Sequence, residues 1–439
     1  MLRPLLCLAA VAAVASAAPA AEPPAGFTPL FNGTDLAGWY GWSSTEKGKT
    51  PYDLAKLSPG EVWSRVNAWT ADAKKHWTVE NGELVNDGNG AFLASERVFG
   101  DYELRIDYKT VAKADSGIYL KAAPQVQIWD TTDAEKFKLG ADKGSGGLWN
   151  NSAGAPGKDP LVKADKPFGE WNQVRIVQVG ERTTVHLNGR LVVKHARLEN
   201  YFDRAKPLPV KGPVILQTHG GEIRWRNVFV KELSPAEANK VLLDDADGFT
   251  PLFNGTDLTG WAGATADYEV KDAAIVCKPG KGGNLFTEKR FTDFVARVEY
   301  KLPPGGNNGL LLRYPGGDQK LDGAYSGLCE LQILDDTAAK YAGKLDPRQY
   351  NGSVYGMIPA TQGYLRPVGE WNVMEVTVRG PRITVELNGS RVLDGDVSKV
   401  KEFMANSPHP GKDLADGHLG FAGHTDPVMF RTVHVKELK

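Results

Sequence analysis

Cysteine, charge bias and long apolar runs are all scarce in this chain of 439 residues, and each scarcity removes a class of answers. Three cysteines, Cys7, Cys277 and Cys329, make neither a metal-type spacing nor a disulfide scaffold. Cys7 falls in an N-terminal leader, and the other two lie in apolar, strand-like runs. Two buried thiols acting as small apolar residues is the reading, with a single disulfide as the alternative. Lys and Arg (52) nearly equal Asp and Glu (53), for a formal net charge of -1, so nothing electrostatic draws the chain to nucleic acid or to an anionic membrane. Neutral partners fit better. Beyond the leader no stretch approaches about 18 continuous apolar residues, so no membrane-spanning helix is expected in the mature form. Nucleophile elbow, P-loop, dinucleotide fingerprint and His-Glu-x-x-His run are all missing. Chemistry, if the chain performs any, falls to carboxylates and histidines, with a divalent metal ion as an option.

What the chain does have is a repeat. Residues 26–36 read GFTPLFNGTDL, and residues 248–258 repeat them letter for letter, each followed by Gly-Trp (Gly38-Trp39, Gly260-Trp261). The chain is therefore two copies of one module. Ahead of them, Arg3, an apolar run over 5–14 and two Ala-x-Ala sites predict a secretory signal peptide over 1–20 and a secreted or periplasmic mature protein. The modules are expected over 21–233 and 248–439. Between them, Ser234-Pro235-Ala236-Glu237 is a capping box that predicts a short helical linker over 234–247, ending in a polar hinge at 244–248. Both halves otherwise show strand grammar: short apolar or alternating runs broken by Gly, Asn, Asp and Pro. Each module is read as all-β, two packed sheets in a jelly-roll-like sandwich. Residues 40–75, with almost no counterpart in the second copy, are read as a long loop, either lid or decoration. Asn32-Gly33-Thr34 and its twin at Asn254 read as turns rather than glycosylation sites.

Strand parity selects the candidate chemistry. In 329–335, CELQILD, Leu331 and Ile333 face one way and Glu330 and Gln332 the other. The sandwich takes the apolar face, which leaves Glu330 and Gln332 to a cleft. The first copy reads Gln125-Val126-Gln127-Ile128-Trp129, with a carboxamide for the carboxylate and Trp129 added as a stacking platform. On the neighbouring strands Arg313 and Lys121 occupy matching positions, expected beside this polar row. His219 and His424 recur at a turn near each module's end, as candidates for acid/base or ligand work. The plain alternatives are a solvated outer face, a cross-strand salt bridge and structural histidines.

The opening FTPLFNGTDLAGW, the Gly309 strand, Glu330-Leu331-Gln332-Ile333-Leu334-Asp335, Gly369-Glu370-Trp371-Asn372, Leu387-Asn388-Gly389, and Gln217-Thr218-His219-Gly220 with Trp225-Arg226-Asn227 together resemble the 3-keto-disaccharide hydrolase family, also described as 3-keto-glucoside lyase and 3-keto-glucal hydratase. The resemblance covers nearly the whole mature chain. It implies two tandem concanavalin-A-like β-sandwiches and chemistry on a sugar oxidised at C3, whose ketone acidifies the C2 hydrogen so that a base removes it, the C1 substituent leaves and water adds back. It further implies Glu330 as base and His424 as acid, with Arg313 or a bound divalent cation steadying the enolate. Gln332, Asp335, Tyr355 and Arg366, with Gln125, Gln127, Trp129, Lys121 and His219 in the first copy, are the expected substrate contacts. The chain departs from the family pattern at Gln125 and at Thr432, where Asn227 stands in the first copy. The first module is therefore expected to bind sugar by stacking on Trp129 and Trp149. The rival reading makes one or both modules carbohydrate-binding only.

Overall fold

The computed structural model describes residues 21–43, 50–317 and 322–439; the expected signal peptide, with Cys7, lies outside them. Each copy of the repeat folds into one antiparallel sandwich with the same strand order. In the first, a five-stranded sheet runs in space Trp39–Trp42, Phe92–Phe99, Gly212–Leu216, Asp115–Leu120, Ala123–Trp129. Its counterpart in the second runs Trp261–Gly263, Gly282–Phe291, Gly417–His424, Asn307–Tyr314, Cys329–Leu334. An eight-stranded sheet packs on each, and the apolar parity of both sheets meets in a separate core for each module. Leu310, Leu312, Leu331 and Ile333 lie in the second core, as their alternation requires. Cys277 and Cys329 are buried there as free thiols, and burial pushes the Cys277 thiol up to about 11.

The Asn-Gly signals are Asx turns: Asn32 Oδ1 accepts from Thr34 N and Asp35 N, and Asn254 Oδ1 does the same for Thr256 and Asp257. The 40–75 segment corrects its reading as a loop. It contains a strand (Trp39–Trp42), a short helix α1 (Pro51–Leu54) and a long helix α2 (Pro59–His76). Ser58-Pro59-Gly60-Glu61 caps α2 as Ser234-Pro235-Ala236-Glu237 caps the linker helix, both as Ser-Pro-x-Glu capping boxes. Helix α2 buries Trp69 against Trp42, with ring centroids 6.2 Å apart, and so decorates the sheet edge.

The linker is no hinge. Helix α3 (Pro235–Leu243) inserts Ala238 and Leu242 between Val179 of the first sandwich and Val373 of the second. Asn239 Nδ2 donates to Glu299 Oε1 (3.1 Å) and to the Trp371 carbonyl (3.0 Å). Asp245 is held by Lys194 at 3.2 Å from one module, and its carbonyl by Arg297 from the other. Directly between modules, Arg182 pairs with Glu386 at 2.7 Å and Glu375 at 3.3 Å. Glu181 accepts from Leu208 N within its own module and from Arg391 N across the junction. Leu242→Asp places a charge in the shared apolar contact, where burial without a partner costs several kcal/mol. Calorimetry should then show two unfolding steps where the native chain shows one, with the β-sheet circular dichroism retained at 25 °C; a single unchanged transition would contradict the coupling.

A candidate active site on the outer face of the second sandwich

The strand Cys329–Leu334 is the last of its sheet and pairs with Asn307–Tyr314, Gly309 opposite Gln332 and Leu311 opposite Glu330, while residues 352–355 bridge its other side. Glu330 and Gln332 project from the outer face, as parity predicts. The Glu330 side chain lies flat across the neighbouring strand: a Cβ on Gly309 would stand 1.9 Å from its Oε1. Glycine is required at 309 for space, since only the missing side chain leaves room for that carboxyl. Over it opens a cavity of about 210 Å³, whose walls include Asn307, Asp322, Tyr325, Gln349, Tyr355 and His424. That is below the usual range for drug-sized ligands and suits one small polar ring.

The electrostatics are decided by burial. Glu330 is 3% exposed, and loss of water, then the Asp322 carboxylate, push its carboxyl up to about 8. Its one ion-pair partner among the described residues is His424, with Nε2 3.9 Å from Oε1, a gap rather than a hydrogen bond. Burial also holds half-exposed His424 below the ordinary histidine range, against the opposing pull of Asp322 and Asp426. At neutral pH both shifts favour the uncharged forms, a protonated carboxyl and a neutral imidazole with a single N–H. This reverses the expected protonation of the pair.

The reversal has a physical origin in Arg313, which does not reach the cavity. A bulge after Leu311 puts Arg313 at φ 50°, and its guanidinium turns away to the Thr292, Gly380 and Leu414 carbonyls and to Asp293 at 2.9 Å. Lys121 is its twin: φ 53°, buried, donating to the Gly180 carbonyl at 2.9 Å. Both cations tie loops beneath the sheet. Arg366 is also elsewhere, donating to the Pro235 carbonyl at the start of α3 and to Trp371 O. Asp335 anchors a turn, accepting from Gly305 N (2.7 Å) and from Thr337 Oγ1 (2.6 Å). Gln332 and Tyr355 do line the cavity. Gln332 Nε2 donates to Asn307 Oδ1 at 2.6 Å, and Gln349 Nε2 donates to the Tyr355 hydroxyl at 3.3 Å. Among the described residues no three His, Cys, Asp or Glu side chains are arranged to hold a metal ion.

In the first sandwich Gln125 takes the place of Glu330 and donates to Gln127 Oε1. Trp129 is no stacking platform. It is buried, its Nε1 donating to the Gly144 carbonyl (3.0 Å) and its ring edge-on to Trp149 at 6.1 Å. His219 is exposed, its Nδ1 3.1 Å from Asp115 Oδ2. Asp322, Asn307, Tyr325 and Gln349 were missed as site residues. Asp322 caps the short helix Gly323–Ser326 and Gln349 ends a 3-10 turn over Pro347–Gln349, so no strand pattern marks either, and only the fold carries them over the Glu330 face.

A family model described as a 3-keto-alpha-glucoside-1,2-lyase-like domain matches residues 26–231 and, again, 248–436. The chain belongs to this family. Its two 3-keto-alpha-glucoside-1,2-lyase-like domains coincide with the two sandwiches. A 3-keto-disaccharide hydrolase of Bacteroides thetaiotaomicron is 28% identical over 249 residues, covering 48% of this chain and 86% of the relative. A candidate glycosyl hydrolase of Parabacteroides distasonis superposes with a TM-score of 0.39 at 25% identity, over 45% of this chain and 96% of its own. A Bacillus subtilis carbohydrate-binding module, CBM66, does so with a TM-score of 0.28 at 12% identity, over 40% of this chain and 96% of its own. The departure from the family pattern at Thr432 is structural: Thr432 Oγ1 donates to Glu299 at 2.6 Å just as Asn227 Nδ2 donates to Asp107 at 2.8 Å, both at positive φ.

Because the folded carboxyl of Glu330 titrates near 8 against 4.5 when unfolded, the native state binds the extra proton between those values. Stability is fully present below about pH 4.5 and falls as pH rises through about 8, by at most ~1.4 kcal/mol per pH unit. Glu330→Gln removes that fall, so the variant should match the native melting temperature at pH 4.5 and exceed it at pH 8.5; a variant melting lower at pH 8.5 would contradict the burial argument. Gly309→Ala should leave the sheet intact by circular dichroism yet displace the carboxyl, with a crystal structure showing Glu330 lifted from the strand.

Proposed function

We propose that the second sandwich cleaves 3-keto-glycosides by elimination and hydration, with net hydrolysis of the glycosidic bond. One observation carries this reading: a Glu330 carboxyl buried away from any cation, and so driven toward its neutral form, faces the His424 imidazole across a 3.9 Å gap over a cavity sized for one polar ring. An acid and a base held apart are what an acid- and base-assisted elimination requires. His424 Nε2 takes the C2 proton, activated by the C3 ketone. The electrons form the C1–C2 double bond as the C1–O bond breaks, and Glu330 delivers its proton to the departing oxygen. The Tyr355 hydroxyl, and the Asn307–Gln332 amide pair, are the donors available to charge developing on the ketone oxygen. Water then adds its oxygen to C1 and a proton to C2. The activity named for the Bacteroides relative supports the substrate class, and the leader-like N-terminus supports a secreted or periplasmic place for the reaction.

This reading exchanges the roles expected from the sequence, and leaving-group dependence separates the two assignments. As an acid, Glu330 matters for a sugar alkoxide and little for p-nitrophenolate, which leaves unaided. Glu330→Gln should lower kcat on a 3-keto-disaccharide by at least about a hundredfold, and far less on p-nitrophenyl 3-keto-glucoside. The residual activity should rise with pH through the depressed His424 value and then level. Equal losses on both substrates would make Glu330 the base, and undiminished turnover of the disaccharide would take it out of the mechanism.

A further inference from the structure

The first sandwich presents the same outer face with its groups rearranged. Gly117 lies opposite Gln127 as Gly309 lies opposite Gln332. Asp115 therefore stands where Asn307 stands, and Gln125 where Glu330 stands. Each face carries one carboxylate and one carboxamide at these two places, exchanged. The carboxylate has not been lost from the first module; it has moved one strand across.

The move changes its company. Asp115 N donates to the Gly220 carbonyl at 2.9 Å, so the strand is tied to the turn that bears His219. Asp115 Oδ2 lies 3.1 Å from His219 Nδ1 and 2.8 Å from Lys136 Nζ, while Oδ1 accepts from Gln127 Nε2 at 2.8 Å. The turn is packed tightly: at Gly221, φ 75°, a Cβ would meet Ala114 Cα at 2.7 Å. His219 itself is more than half exposed. Its Nδ1 is committed to the carboxylate, and Nε2, on the opposite side of the ring, is left for a ligand. A carboxylate that fixes one imidazole nitrogen and frees the other is the arrangement of a general base. Asp115 raises the affinity of His219 for a proton, and Lys136, sharing the same carboxylate, opposes it. What the face lacks is an acid at its floor, because the Gln125 carboxamide has no proton to release.

We infer that the first sandwich is a second, base-only site, in which His219 Nε2 removes and returns the proton next to the ketone of a 3-keto sugar without releasing a sugar alkoxide. The inference rests on the substrate class proposed for the second sandwich. In this step the C2–H bond breaks, its proton passes to Nε2 and its electron pair to the C2–C3 bond and the ketone oxygen. Return of a proton exchanged with solvent restores the C2–H bond and the ketone, so no oxidant or co-reactant is needed. Only a substituent stable as an anion, such as p-nitrophenolate, would leave without help. His219 is the catalytic residue here and Asp115 its positioning residue.

The test uses the full chain carrying Glu330→Gln and His424→Ala, which disables the second site, incubated with a 3-keto-disaccharide in deuterium oxide and followed by proton NMR. The C2 proton signal should disappear at ten times the buffer rate or faster while the disaccharide stays intact, and adding His219→Ala should return it to the buffer rate. Asp115→Asn, which copies Asn307, should keep exchange but shift its rise with pH to lower pH, a change that a purely structural role would not cause. The His219→Ala chain also removes any first-sandwich contribution to the p-nitrophenyl assay. Exchange at the buffer rate in the disabled chain, with the native protein still eliminating, overturns the inference and leaves the second-sandwich reading standing. Exchange that survives His219→Ala overturns it too. A native protein that exchanges through His219 but does not eliminate keeps the inference and removes the other reading, and one that does neither removes both.

Discussion

Burying a carboxyl group without bringing a cation to it is the constraint on which the second site depends. A sandwich commits one face of each strand to its interior, and the other face is available for polar groups. Along most of the outer surface that face meets water. Over Cys329–Leu334 it is roofed by loops instead, so Glu330 loses its hydration while Arg313, the cation nearest in sequence pattern, is drawn off by three carbonyls and Asp293. The carboxyl answers by holding its proton. Everything distinctive about the pair follows: a neutral acid, a neutral imidazole, and a gap between them instead of a salt bridge.

Duplication gives that constraint an internal control. Both sandwiches keep the glycine that makes room for the side chain at the 125 or 330 position, and both keep the histidine at the turn. A carboxylate on the floor without a cation becomes an acid, whereas a carboxylate under the histidine makes the histidine a better base. The exchanged carboxylate and carboxamide on adjacent strands, together with what covers them, decide which group holds the proton. The modules do not act as loosely tethered beads either, since α3 and the Arg182–Glu386 contact join them through a shared apolar and ionic junction.

Residue patterns alone carried much of this. The repeated 26–36 phrase set the number of modules, period-two alternation set the fold class, and the parity of Glu330 and Gln332 against Leu331 and Ile333 picked the face on which a site would lie, because these are properties of neighbours along the chain. The capping box at Ser58 is legible in the sequence, yet the 40–75 segment as a whole carries no apolar period strong enough to mark a helix.

What the sequence by itself determined, then, was two all-β modules with a polar row on one strand of each and a histidine at a turn. The tertiary structure alone decided what those groups are. Whether Arg313 meets Glu330, whether Trp129 offers its ring, whether Asp115 reaches His219 and whether a carboxyl at 330 is charged all depend on bulges, loop coverings and burial. These arise from contacts between residues far apart in the chain. Side-chain parity is fixed by the covalent geometry of a strand, but protonation is fixed by how much water and how many opposite charges the folded surroundings leave, and no local pattern records that.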